Sequence, residues 1–200
     1  KGVNGSKVLK AIGKDNRIGN SYLGVGTKYS GPCFPRDNKA LDFFIRKKIK
    51  NSLPMFVDQI NNSQTNRLIR IIKKVIYKNN LSKINLGILG LTYKDNTSIL
   101  KDSQSYDLIK KINSIKINKI NVYDNNFKPP YDYLKKNKLN YFNSLKKLIE
   151  NSNILLTMYP SQSFLDLLLK SKNKIIIDCW NLVDENKSKS KVYKLGNYIS

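Results

Sequence analysis

Two hundred residues, 40% of them apolar, are enough for one large domain or two modest ones with real cores. Two cysteines far apart, Cys33 and Cys179, argue against a disulfide framework and point to a reducing compartment, by default the cytoplasm. The formal charge of +23 suits a polyanion, but only five of the 37 basic residues are Arg, and the lysines lie scattered among Asn and Ile like a solvated surface, so no nucleic-acid partner is expected.

The chain opens on Lys1 and runs straight into "KGVNGSKVLKAIGKDNRIGN", which reads as the interior of a longer protein. A short amphipathic helix is predicted from Val3 to Ile12, broken by "GKDNRIGN" and followed by a loop through "SYLGVGTKYSGPC". Pro35 suits the first turn of a second helix, with Ala40, Leu41, Phe44 and Ile45 as its apolar positions, ending near Asn51. A longer helix is predicted from Pro54 to about Lys78, carrying Phe56, Ile60, Leu68, Ile71, Ile72 and Val75 at three- or four-residue spacing, with "NNSQTN" as a polar interruption. Its apolar stripe has no evident partner within the helical region.

After residue 81 the period changes. "INLGILGLTY", "INKINVYD", "NILLTMY" and "KIIIDCW" read as buried strands, and "SQSYDLIKKI", "SLKKLIE" and "SQSFLDLLLK" as the helices between them. Such alternation means an α/β fold with a parallel sheet wrapped on both faces. The two units are residues 1–80, helical, and 81–200, α/β; "ENKSKSK" reads as a charged loop. The apolar runs have the length of buried strands, so no membrane span is expected.

In "YSGPCFPRDNKAL" the thiol of Cys33 falls just ahead of a helix N-terminus, where the dipole favours negative charge, and Asp37 lies one turn along the same helix. Carboxylate and sulfur would share a site. On spacing alone the blander reading, a small buried hydrophobe, is the commoner one for a lone cysteine.

The surrounding residues weigh against that reading. "IGKDNRIGNSYLGVGTKYSGPCFPRDNKAL" resembles the UDP-glucose/GDP-mannose dehydrogenase family around its nucleophile, D-x-R-I-G followed downstream by G-[FY]-G-G-S-C-[FL]-P-K-D. Arg17, Tyr29, Gly31, Cys33, Pro35 and Asp37 fall on the pattern. "LGILGLTYKDNTSILKDSQSYDLI" resembles the opening of the family's second nucleotide-binding domain, G-[LV]-[AST]-[FY]-K-x-x-T-x-D-x-R-x-S, and the resemblance runs from about Val3 to Val183.

The resemblance implies a central helical dimerisation region, residues 1–80, followed by a Rossmann-like UDP-binding domain, residues 81–200, in an NAD-dependent, homodimeric enzyme that oxidises the C6 alcohol of UDP-glucose to the acid. By the match Cys33 is the nucleophile that forms a thiohemiacetal and then a thioester, and Asp37 assists water and stabilises charge. Tyr22, Tyr29, Gly31 and Lys94 match substrate contacts, and Arg17 matches an arginine that reaches substrate across the dimer. The NAD site is expected mostly upstream, because no G-x-G-x-x-G follows a first strand here, and the helix carrying the family's catalytic Lys and Asn has no counterpart. Lys28 and Ser30 replace loop glycines, Pro32 replaces Ser, Arg36 replaces Lys, Ser98, Ile99 and Lys101 fall where the family favours acidic residues and Arg, and Trp180 stands where it has Arg. These departures keep other sugars open, UDP-N-acetylmannosamine or GDP-mannose among them, as well as a non-catalytic remnant that only binds nucleotide sugar.

Overall fold

The computed structural model describes residues 3–196. Helix α1, Gly5–Ile12, starts where the Asn4 side chain accepts the Lys7 N–H at 3.1 Å, and α2, Phe34–Arg46, starts behind Cys33 with Pro35 in its first turn. Helix α3, Leu53–Lys78, is capped by Ser52, whose hydroxyl accepts the Met55 N–H. Its 26 residues extend about 39 Å at the usual helical rise. The polar stretch "NNSQTN" does not interrupt it.

Six parallel strands follow: β1, Asn85–Leu89; β2, Lys119–Tyr123; β3, Leu139–Tyr141; β4, Ile154–Thr157; β5, Lys172–Asp178; and β6, Lys189–Lys194. Their order across the sheet is β3-β2-β1-β4-β5-β6. Helix α4, Gln104–Lys111, leads by a 3-10 turn to β2; α5, Tyr131–Lys136, precedes β3; α6, Leu145–Glu150, precedes β4; and α7, Gln162–Lys170, precedes β5.

Along β1, β4 and β5 side chains alternate between two cores. Leu86, Ile88, Ile154, Leu156 and Ile177 meet α4 through Leu108 and Ile109, and meet the last turns of α3 through Leu68, Ile69, Ile72 and Val75. Leu155 and Ile176 face the other way, onto Leu145, Leu148 and Ile149 of α6 and Phe164 and Leu168 of α7. At Gly87 a Cβ would stand 2.8 Å from a methyl of Leu148, so the missing side chain lets α6 lie close on β1.

The structure corrects the sequence reading in three places. The apolar stripe of α3, unpartnered when the helical region is taken alone, packs over its C-terminal half on the sheet of the following unit, with each buried aliphatic side chain contributing roughly 1.5–3 kcal/mol. Its N-terminal half and α2 are the faces left open: Leu41, Phe43, Phe44, Leu53 and Ile60 are all more than half exposed. Second, α2 ends at Arg46, short of Asn51. Third, α5 and β3 stand where the sequence pattern predicts no element, and the segment 185–191, expected as loop, runs into β6 at Lys189–Lys194. Both missed strands are sheet edges that bury little, Leu139 in β3 and Tyr193 in β6, so their apolar signal is weak, and the exposed lysines of β6 suit an edge.

Candidate active site

From β1 the chain passes to β2 on one side and later returns to β4 on the other. Parallel α/β sheets take their ligands in the crevice that such a reversal leaves beyond the strands' C-terminal ends. Here the loop between α1 and α2 lies across that end. Two glycines let bare backbone meet aromatic rings. A Cβ on Gly26 would fall 2.6 Å from the Trp180 ring, and Trp180, just past β5, is itself held by its indole N–H on the Met158 carbonyl at 3.0 Å. Gly31 has φ +91, and a Cβ there would fall 2.7 Å from the ring of Tyr93, the residue before Lys94.

Between those glycines the loop is anchored by polar contacts. Asn61 on α3 accepts the Tyr29 N–H and donates to the Tyr29 carbonyl, both at 2.9 Å, and the Tyr29 hydroxyl bonds Asp58. Burial and then Asp58 push the Tyr29 phenol up, so it stays protonated. Lys28 is buried, its ammonium pairs with Asp107 of α4, and its N–H donates to the Gln104 side chain at 2.9 Å. Gln104 in turn donates to Thr65 of α3 at 3.2 Å. The polar face at residues 58–65 is therefore the dock for the Cys33 loop. Lys28 lies folded against α4, away from the small-residue role of the glycine it replaces.

Cys33 stands at the N-cap of α2, exposed, its sulfur making no capping bond, while its carbonyl accepts the Asp37 N–H at 2.9 Å. Asp37 is exposed in the same turn and accepts from Arg36 at 2.7 Å. The Arg36 pKa is raised, first by the Asp37 hydrogen bond and charge and then by the Cys33 sulfur, which sets all three groups in one neighbourhood. Tyr29 packs on Phe34, ring centroids 4.7 Å apart. Exposed Lys94 reaches back over the Tyr93 ring at 5.5 Å. Tyr29, Gly31, Cys33 and Asp37 thus lie along the loop and the first turn of α2, and Lys94 follows Tyr93, whose ring meets Gly31. Among the described residues no hydrogen bond, ion pair or ring contact joins Arg17 or Tyr22 to them. Arg17 is 88% exposed and pairs with Asp15 at 2.6 Å, and Tyr22 is fully exposed with φ +62.

The loop after β1 is shaped by Asp124 at the end of β2. One of its oxygens accepts from the Leu91 N–H, the Thr92 N–H and the Thr92 hydroxyl, and the other accepts from the Asn126 N–H. A dinucleotide fold uses the acidic residue at this strand end for a ribose, but Asp124 is buried and committed to the loop after β1 and to the Asn126 N–H, and no glycine-rich turn follows β1, so these residues do not fit NAD. Beside it, Asp95 receives Asn125 and Asn126. Burial raises its pKa, but hydrogen bonds from Ser161, the Asn96 N–H, Asn125 and Asn126 outweigh that and leave it lowered.

Sequence reasoning missed Asp58, Asn61, Gln104, Asp107 and Asp124, and read Trp180 only as a lost arginine. Nothing in a single sequence marks one Asn or Asp among so many as the partner of a loop residue 32 or 79 positions away.

Comparison with known proteins bears on the family and the fold. Residues 1–63 match the central domain of the UDP-glucose/GDP-mannose dehydrogenase family, and residues 87–185 match the same family's UDP binding domain. The UDP-glucose 6-dehydrogenase of Rickettsia typhi is 29% identical over 99% of this chain and 48% of its own length. In fold, the chain is similar to a UDP-glucose dehydrogenase of Pyrobaculum islandicum, TM-score 0.77 at 19% identity over 99% of this chain and 44% of that one. It is similar also to a UDP-D-ManNAc dehydrogenase of Pyrococcus horikoshii, TM-score 0.75 at 21% identity over 98% and 44%. The chain spans about half the length, or less, of the relatives it matches. With both domain matches in order along it, the chain belongs to the UDP-glucose/GDP-mannose dehydrogenase family.

Proposed function

We propose that this chain is the nucleophile-bearing, nucleotide-sugar-binding half of a UDP-glucose 6-dehydrogenase. The observation that carries this reading is the contact between Gly31 and Tyr93, which brings the Cys33 loop against the loop of Lys94, although the two motifs are about sixty residues apart. A diphosphate lying on the Lys94 side would present its sugar towards the exposed sulfur. The thiolate of Cys33 adds to the C6 aldehyde of the half-oxidised sugar and makes the tetrahedral carbon from which a hydride can depart. The thioester that results is hydrolysed with Asp37 orienting water and Arg36 offsetting the charge that develops. NAD, the hydride acceptor implied by the resemblance, is assigned to the part of the relatives' length that this chain does not span. The exposed Arg17 suits a role towards the substrate of a second subunit.

The test has two arms. In the enzyme assembled with an NAD-binding half, Cys33→Ala abolishes acid formation while UDP-glucose binding persists; normal turnover by that variant would end the covalent reading. In the 200-residue chain, Lys94→Ala weakens UDP-glucose binding by about ten- to a hundredfold, equivalent to roughly 1–3 kcal/mol, whereas Lys189→Ala on the far edge strand does not. Equal, small and salt-steep effects of the two would indicate diffuse polyanion binding instead. The same titration with UDP-N-acetylmannosamine and GDP-mannose ranks the sugars.

A further inference from the structure

A lysine is seldom buried without a partner, because its ammonium must be compensated when it leaves water. The Lys28 side chain is 6% exposed, and its partner Asp107 is 30% exposed. The pair joins a loop without regular secondary structure to α4, the helix into which the loop after β1, with Tyr93 and Lys94, directly runs. Backbone contacts reinforce the join, since the Lys28 N–H sits on Gln104, at the first turn of α4, and Gln104 is tied to Thr65 on α3. Five residues farther on is Cys33.

We propose that Lys28 is a positioning residue: the Lys28–Asp107 pair latches the Cys33 loop to α4, so that the sulfur is held in a fixed relation to the loop of Lys94. The functional weight of this latch rests on the reading of Cys33 as nucleophile; the latch itself rests on the contacts above. General stabilisation accounts for the pair less well, because a buried ion pair contributes little net stability over an apolar pair of similar shape, and a single geometry is what such a pair can supply instead. Asp107 keeps one edge in water, so its carboxylate tolerates the loss of Lys28 without collapse of the helix.

Hydrogen exchange on the 200-residue chain tests the latch without substrate or cofactor. In Lys28→Met and in Asp107→Asn, N–H groups of residues 26–33 are expected to exchange at least tenfold faster, while those of β1 and β4 keep their rates. The double variant is expected to be no worse than either single one, because both remove the same contact. Alkylation of Cys33 changes at least threefold in each single variant, and Lys28→Arg, or the exchanged pair Lys28→Asp with Asp107→Lys, restores the wild-type rate. Unchanged loop exchange in Lys28→Met would overturn the proposal, as would acceleration spread evenly into the sheet, the mark of a merely stabilising pair. Should Lys28→Met fail to fold, Asp107→Asn and Lys28→Arg decide between the same outcomes. If the catalytic reading of Cys33 fails in the assembled enzyme, these exchange rates still stand or fall by themselves.

Discussion

At Gly31 the backbone is in the left-handed region and the Tyr93 ring occupies the space of a side chain, so Gly31→Ala meets both conformational strain and overlap. The variant is expected to lose about 2 kcal/mol or more in urea denaturation and to loosen the Cys33 loop. The two cysteines differ just as sharply. Cys179 is fully buried in the core against the sheet, and burial followed by the Asp178 charge pushes its thiol up, whereas Cys33 is exposed. Iodoacetamide on the native protein is therefore expected to label Cys33 alone, with Cys179 reacting only in denaturant; mass spectrometry of the two peptides checks it.

At the scale of elements, α3 does two jobs along its length. Its last turns are part of the α/β core, so Ile72→Ala is expected to cost about 2–5 kcal/mol, while Ile60→Ala, on the exposed first half, stays within about 0.5 kcal/mol for the monomer. Thermal melts of the two variants separate the halves. The loop after β1 depends on Asp124 in the same concrete way. Asp124→Ala strands the buried Leu91 and Thr92 N–H groups, each at about 1–3 kcal/mol, and removes the shape that presents Tyr93 and Lys94. Loss of UDP-glucose binding at temperatures where the sheet is still folded is the expected signature.

For the whole molecule, α2 and the first half of α3 present open apolar faces, which a homodimer of the kind the family resemblance implies would cover. Sedimentation at micromolar concentration is expected to show a dimer, and Phe44→Glu a folded monomer. No helix among the described residues is long and apolar enough to cross a membrane. The sheet is also expected to discriminate between nucleotides: calorimetry gives heat with UDP-glucose and none with NAD, because Asp124 is spent on the β1 loop.

The sequence by itself determined the family and most of the elements, and it named the residues of the proposed site. Periodicity marks α3 and the four central strands, since burial on both faces demands continuous apolar runs. Pro35 and the spacing of Cys33 and Asp37 place the sulfur ahead of a helix, where the structure has it. Edge strands β3 and β6 were illegible because strands that bury one side chain leave little apolar signal. Tertiary structure alone decided what the loop rests on. Whether Lys28 is solvated or buried against Asp107, whether Asn61 is a helix interruption or a dock, and whether Trp180 replaces an arginine or backs a glycine depend on contacts between residues 32 to 154 positions apart. Such contacts leave no local pattern, because a polar side chain on a helix face has the same propensity whether its partner is water or a loop folded onto it.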